Sequence, residues 1–93
     1  MMKRYFMVLS NQKEPPADLN RIDFQYFVLL DERHPTPDQI KDMIRRYRRF
    51  AFLYLFKGEF SVFSNINIQF TKYELIRKYH CSGYGLTDGP YKD

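Results

Sequence analysis

Apolar residues in this chain fall into short runs that are typical of β-strands. Residues 24–30 alternate, with Phe24, Tyr26, Val28 and Leu30 on one face. A glycine-containing segment, residues 57–59, is predicted to form a tight turn. The runs predicted as strands are residues 5–9, 24–30, 52–56, 60–63 and 65–70. They predict a mostly antiparallel sheet of four or five strands.

Two segments carry the signature of a helix start. Thr36 can cap a helix, Pro37 suits its first position, and Gln39 completes a capping box. An apolar stripe at helical spacing then predicts a helix to about Phe50; it consists of Ile40, Met43, Ile44, Tyr47 and Ala51. Thr71 and Glu74 form a second capping box, which predicts a short helix through about His80.

These elements predict a single small α+β domain over residues 1–80 in the approximate order ββαββα, with both helices on one face of the sheet. Residues 81–93 contain three glycines and are predicted to be an irregular tail. Three strands are apolar on both faces, but two helices can cover only one face. The second face is therefore expected to be covered by the tail, a partner, a second copy or a ligand.

Composition narrows the class of protein without defining a reaction. Seventeen aromatic residues and a hydrophobic fraction of 44% argue against disorder. The single cysteine, Cys81, cannot form an internal disulfide, and the apolar run after Met1 is too short for a signal sequence or membrane span. We therefore expect a cytoplasmic protein that does not bind a membrane.

The net charge of +4 is concentrated in one segment. Residues 41–57 contain six bases and one acid, Asp42. The bases at 41, 45, 48 and 49 lie within about a 100° arc of a helical projection, away from the apolar stripe. We call these four residues the basic arc: Lys41, Arg45, Arg48 and Arg49. Arg46 lies outside it and is predicted to pair with Asp42 at i−4.

Two interpretations of the basic arc remain open. Like charges at i,i+4 repel, and arginine suits phosphate and carboxylate groups, which favours an anionic partner. Alternatively, acids elsewhere in the fold neutralise the arc, with Asp18, Asp31 and Glu32 as candidates. Bases near a helix C-terminus also interact favourably with the helix dipole without any ligand.

Aromatic residues beside the basic arc offer a surface on which bases could stack. The candidate aromatic face consists of Tyr26, Phe52, Tyr54 and Phe56. Packing in a core or a dimer is the competing interpretation. Residues 57–63 lack the aromatic positions of an RNA-recognition signature, so that match is rejected. Asn65, Asn67 and Gln69 alternate on one strand face and are candidates for base contacts.

Residues capable of catalysis or metal binding form no convincing set. The candidates are Asp31, Glu32, His34, His80, Cys81 and Asp88. Adjacent His80 and Cys81 do not have the paired spacing of a zinc site. We expect no cofactor, no metal and no enzymatic activity.

The leading hypothesis is a small non-enzymatic nucleic-acid-binding module in which the basic arc contacts phosphates. The alternative is a protein-interaction module, either an inhibitor or adaptor of the kind that mobile elements encode or a homodimer. It would bury the aromatic face and use the arc at its rim against an acidic protein surface.

Overall fold

A computed structural model describes residues 2–21, 26–64 and 67–81. Its regular elements are β1 (Met2–Ser10), β2 (Phe27–Leu29), α1 (Pro37–Arg46), β3 (Phe52–Ser64) and β4 (Asn67–His80). The four strands form one antiparallel sheet in the order β2-β1-β3-β4, with β4 at an edge. The α+β class is therefore confirmed, with one helix and four strands in the described residues.

Helix α1 begins where the sequence predicts. The Gln39 amide donates to Thr36 Oγ1 (3.2 Å), and the Thr36 amide donates to Gln39 Oε1 (2.8 Å), which completes the capping box. The helix ends at Arg46, four residues earlier than predicted. A turn follows, in which the Phe50 amide donates to the Tyr47 carbonyl (3.0 Å) and the chain enters β3.

The prediction of a second helix over residues 71–80 is wrong, because this segment is part of strand β4. Its pairing with β3 is interrupted at Thr71 and Ile76, each of which is an extra residue in the register. Each bulge shifts the alternation of side chains by one position. Phe70 and Tyr73 therefore lie on the same face of the sheet although they are three residues apart. Such a spacing is otherwise typical of one face of a helix.

The predicted turn at residues 57–59 and the separate strand after it are also wrong, since β3 runs without a break from Phe52 to Ser64. Gly58 lies in the middle of this strand, between Arg4 and Tyr73 on the neighbouring strands. A Cβ atom at Gly58 would lie 2.6 Å from the Lys72 carbonyl oxygen and 2.8 Å from Tyr73 Cβ. This glycine permits close approach of two strands and makes no turn.

One face of the sheet packs against α1. The helix contributes Ile40, Met43 and Ile44 to a buried cluster. The residues that complete this cluster come from the strands and their ends: Met7, Leu9, Phe50, Leu53, Leu55, Tyr79 and Cys81. Strand residues alternate between faces, so the odd-numbered positions of β1 and the first part of β3 face the helix.

The other face forms a second buried cluster rich in phenylalanine. Its buried members are Phe6, Val8, Leu19, Tyr54, Phe56, Phe60 and Phe70. Leu19 is the only one of them outside the strands, and it belongs to a single 3-10 turn, Leu19–Arg21. We call residues 11–21 the strap, because this segment crosses the face opposite α1.

Hydrogen bonds hold the strap at both ends. The Tyr54 hydroxyl donates to the Gln12 carbonyl (2.5 Å), and Lys78 Nζ donates to the Lys13 carbonyl (3.1 Å). At the far end Asn20 accepts from the Phe70 amide (2.7 Å) and donates to the Phe70 carbonyl (3.1 Å). The Asn20 side chain thus pairs with the outer edge of β4 as a neighbouring strand would.

The strap covers the second face of the sheet, in place of the expected tail, partner, second copy or ligand. Within the described residues, the second face is closed by the chain itself. The predicted tail lies outside the described residues except for Cys81, whose amide donates to the Ala51 carbonyl (2.8 Å). Among the described helices, none is long and apolar enough to cross a membrane.

Candidate nucleic-acid interface

The basic arc lies on the side of the sheet that carries α1. Lys41 and Arg45 are exposed on the helix, while Arg48 and Arg49 are exposed in the turn that follows it. All four therefore lie within about three helical turns of chain, although the last two are not helical. Because the helix ends at Arg46, the angular positions that an ideal helix predicts for Arg48 and Arg49 do not apply, but both side chains remain exposed.

The basic arc forms no ion pair within the described part of the chain. Arg46 pairs with Asp42 (3.0 Å), as predicted from the i,i+4 spacing. No ion pair involves Lys41, Arg45, Arg48 or Arg49 among residues 2–21, 26–64 and 67–81. Asp18, one of the proposed internal partners, pairs with Arg21 on the strap (3.4 Å).

A second group of bases, unlike the basic arc, is interspersed with acids. Lys3, Lys57 and Lys72 line a shallow hollow of about 260 Å³ together with Glu59 and Glu74. In the strand register Lys57 is opposite Glu74, and Glu59 is opposite Lys72. Opposite charges alternate there, so this surface has little net field. In residues 41–49, by contrast, Asp42 is the only acid, and it pairs with Arg46 outside the basic arc.

Three of the four candidate aromatics lie on the strap side of the sheet. Tyr54 and Phe56 are buried, with 0% and 3% of their surface exposed. Phe52 is half-buried, with Lys78 Nζ 5.1 Å from its ring centre and the His80 ring edge-on at 5.0 Å. The buried rings contribute packing to the second core, and their role in binding stays a prediction.

Tyr26 has a different position from the other candidate aromatics. It packs on the α1 side, where its ring lies edge-on to Phe50 with 5.8 Å between centres. Arg49 lies over the other aromatic of this pair, with its Cζ atom 5.1 Å from the Phe50 ring centre. The fold therefore brings Tyr26 and Arg49, which are 23 positions apart in sequence, to one cleft that is also lined by Asn11.

The predicted polar side chains of the β3–β4 hairpin are only partly described. Gln69 is exposed on β4. Asn65 lies outside the described residues, and Asn67 is described only as the first residue of β4.

The candidate catalytic and metal-binding residues form no common site in the described part of the chain, and Asp88 lies outside the described residues. His34 Nδ1 lies 2.8 Å from the Pro35 carbonyl, and its ring is edge-on to Tyr5. Among the described residues there is no cluster of three or more acidic, histidine or cysteine side chains that could hold a metal. Burial raises the pKa of the Cys81 thiol to about 12, so this thiol is protonated at neutral pH and is a poor nucleophile.

Asn11 and Phe50 line the cleft and were missed as candidate site residues. The sequence predicts Phe50 only as the end of a helix and assigns no site role to Asn11. Neither carries a local motif, because their association depends on the path of the strap.

Comparisons with protein-family models, with curated proteins and with solved structures found no match to this chain.

Proposed function

We propose that this protein is a small non-enzymatic module that binds nucleic acid through the basic arc. One observation carries the proposal: four exposed bases of one sign lie on nine consecutive residues, and no acid pairs with them in the described part of the chain. Charge runs on helices are often neutralised by neighbouring acids. Here that explanation accounts for Arg46 alone.

Phosphate is a suitable counter-charge for this arrangement. Lys41 and Arg45, and likewise Arg45 and Arg49, are spaced four residues apart and repel one another. A phosphate backbone relieves the repulsion, and the planar fork of arginine binds phosphate oxygens through two hydrogen bonds. The strap closes the opposite face of the sheet. The helix side is thus the surface on which we expect the nucleic acid to lie.

The test is binding of a labelled oligonucleotide, followed by fluorescence anisotropy over a range of salt concentrations. Four phosphate contacts predict that the logarithm of affinity falls with the logarithm of salt at a slope of about −3 to −4 on duplex DNA. The double charge reversal Arg45→Glu with Arg48→Glu should abolish binding at low salt and leave the circular dichroism spectrum unchanged.

Lys13→Glu with Arg21→Glu is the matched control. Both residues are exposed on the strap, across the sheet from α1, and the double variant has the same net charge as the test variant. We expect it to retain most of the affinity. An equal loss in both double variants would mean that net charge alone governs binding, and would contradict a localised site.

A protein-interaction module is the second candidate, and one observation favours it. Val62 and Phe63, near the tip of the β3–β4 hairpin, are 47% and 64% exposed, and Phe63 is an extra residue in the register with β4. Exposed aromatic side chains are typical of interaction sites. Absence of binding to any oligonucleotide at low salt would make an acidic protein partner or a second copy the preferred hypothesis.

A further inference from the structure

The cleft beside Arg49 consists of two adjoining hollows. One, of about 340 Å³, is lined by Asn11, Tyr26 and Phe50 over a floor that includes Val8 and Leu9. The other, of about 360 Å³, shares the first three residues and has Arg49 at its rim. These volumes are in the range of small-ligand sites, and an apolar floor with a few polar groups is typical of such sites.

The side chains of this cleft have the chemistry that recognises an unpaired base. Tyr26 is half-buried and its ring stands at 79° to that of Phe50, so the two rings do not stack on each other. Single-stranded nucleic acids are commonly bound by stacking bases on aromatic rings or on arginine planes. Tyr26 offers such a ring next to Arg49, a member of the basic arc.

Asn11 adds a polar side chain that is held by one hydrogen bond. Its Oδ1 atom accepts a hydrogen bond from the Ala51 amide (2.8 Å), which leaves the side-chain amide hydrogens for another acceptor. Bases present carbonyl oxygens and ring nitrogens as acceptors. Asn11 therefore supplies a donor at the edge of the cleft, while Arg49 supplies a positive charge for the adjacent phosphate.

We propose that this cleft binds one unpaired nucleobase, and that the nucleic acid bound by the basic arc is single-stranded. This inference rests on the proposed function and adds the class of ligand. In a duplex the bases are stacked and paired, so their faces are not available to Tyr26. A backbone on the arc can place its base in the cleft only when that base is free.

The experiment compares three labelled ligands of equal length, about 12 nucleotides: a single strand, its duplex, and a strand of abasic sites. Wild-type protein should bind the single strand most tightly. Tyr26→Ala should weaken single-strand binding by about 5- to 150-fold, the factor expected for one lost stacking interaction, and leave duplex and abasic binding unchanged. Tyr26→Phe, which keeps the ring, should retain single-strand affinity.

The outcomes separate this inference from the proposed function. If the three ligands bind wild-type protein equally and the Arg45→Glu, Arg48→Glu variant binds none of them, the base site is overturned and the basic arc stands. If no ligand binds at low salt, both proposals fail. Should Tyr26→Ala not fold, ultraviolet crosslinking of the single strand to wild-type protein decides, since a crosslink that maps away from residues 11, 26 and 50 overturns the site.

Discussion

The two faces of the sheet are equally well buried but are covered in different ways. On one face an amphipathic helix, α1, places Ile40 and Ile44 against the strands. On the other face the strap, which has a single 3-10 turn, places Leu19 against a group of phenylalanine rings. Helix α1 covers the first face with an apolar stripe that repeats at helical spacing. The strap has no such repeat and is held over the second face by individual hydrogen bonds.

This difference shows how a 93-residue chain with one described helix can bury strands that are apolar on both sides. The aromatic rings supply most of the second core themselves. Phe6 contacts the rings of Phe56, Phe60 and Phe70, with centres 5.5, 6.2 and 4.8 Å away. Large rings bury much area per residue, so a short irregular segment suffices to close over them.

The largest expected effect would come from removing a ring in the strap-covered core. Phe6→Ala should lower the free energy of unfolding by about 3–5 kcal/mol, and Ile44→Ala on the helix side by about 2–5 kcal/mol. Both side chains are fully buried. Urea unfolding followed by circular dichroism measures the two changes. A loss below about 1 kcal/mol for Phe6→Ala would mean that the strap does not maintain a core on its face.

Removing the hydrogen-bonding side chains that hold the strap and cap the helix should reduce stability by smaller amounts. Asn20→Ala removes both hydrogen bonds to Phe70 at the sheet edge and should destabilise the protein by about 1–3 kcal/mol. Thr36→Ala removes the helix cap and should cost about 1 kcal/mol. The neighbouring exposed residue Gln69 provides a control, whose change to alanine should stay within about 0.5 kcal/mol.

Amide hydrogen exchange would show which part of the protein each of these substitutions destabilises. Asn20→Ala should expose the Phe70 amide to exchange, while amides of α1 remain protected. Equal loss of protection in the helix would show that the two coverings are not independent.

A further effect, absent at neutral pH, concerns the pH dependence of the helix-side core. Burial raises the pKa of Cys81 to about 12 from an ordinary 9.0, so the folded state holds the thiol proton more tightly than the unfolded state. Between these two values the unfolded thiol is ionised and the folded thiol is not. Its contribution to stability is therefore lost as pH rises above about 9.

Wild-type protein should consequently lose stability over this pH range more steeply than Cys81→Ala, because the variant lacks the titrating thiol. Urea unfolding of both proteins at neutral pH and at about pH 10 measures the difference. Parallel pH profiles would show that the thiol is accessible to water in the folded state. The thiol of the native protein should also react slowly with a disulfide reagent.

The parts of the fold that sequence predicts are those determined by local chemistry. The capping box at Thr36 and the stripe of Ile40 and Ile44 predict α1 because a helix satisfies both within a few residues. The same capping pattern at Thr71 was misleading, since pairing with β3 outweighs a local cap once the two strands form a long hairpin. The turn predicted at Gly58 is wrong for a similar reason, because the close approach of β4 determines the role of this glycine.

The candidate site was likewise predictable from the sequence only in part. The i,i+4 spacing predicts the pairing of Arg46 with Asp42, and the composition of residues 41–49 identifies a concentration of positive charge. The sequence could not separate Tyr26 from Tyr54, which look alike as strand aromatics. Tyr54 is buried under the strap, whereas Tyr26 lies in the cleft beside Arg49.

Sequence alone predicted the α+β class, the start of α1 and the concentration of bases in residues 41–49, because apolar periodicity, helix caps and charge are local features of the chain. The tertiary structure decided the rest. In it, a segment predicted as a helix is a strand with two bulges, and the strap covers the second face of the sheet. Asn11, Tyr26 and Arg49 lie together in one cleft. These features depend on contacts between residues distant in sequence, and no local pattern of side chains encodes which distant segment will supply the partner.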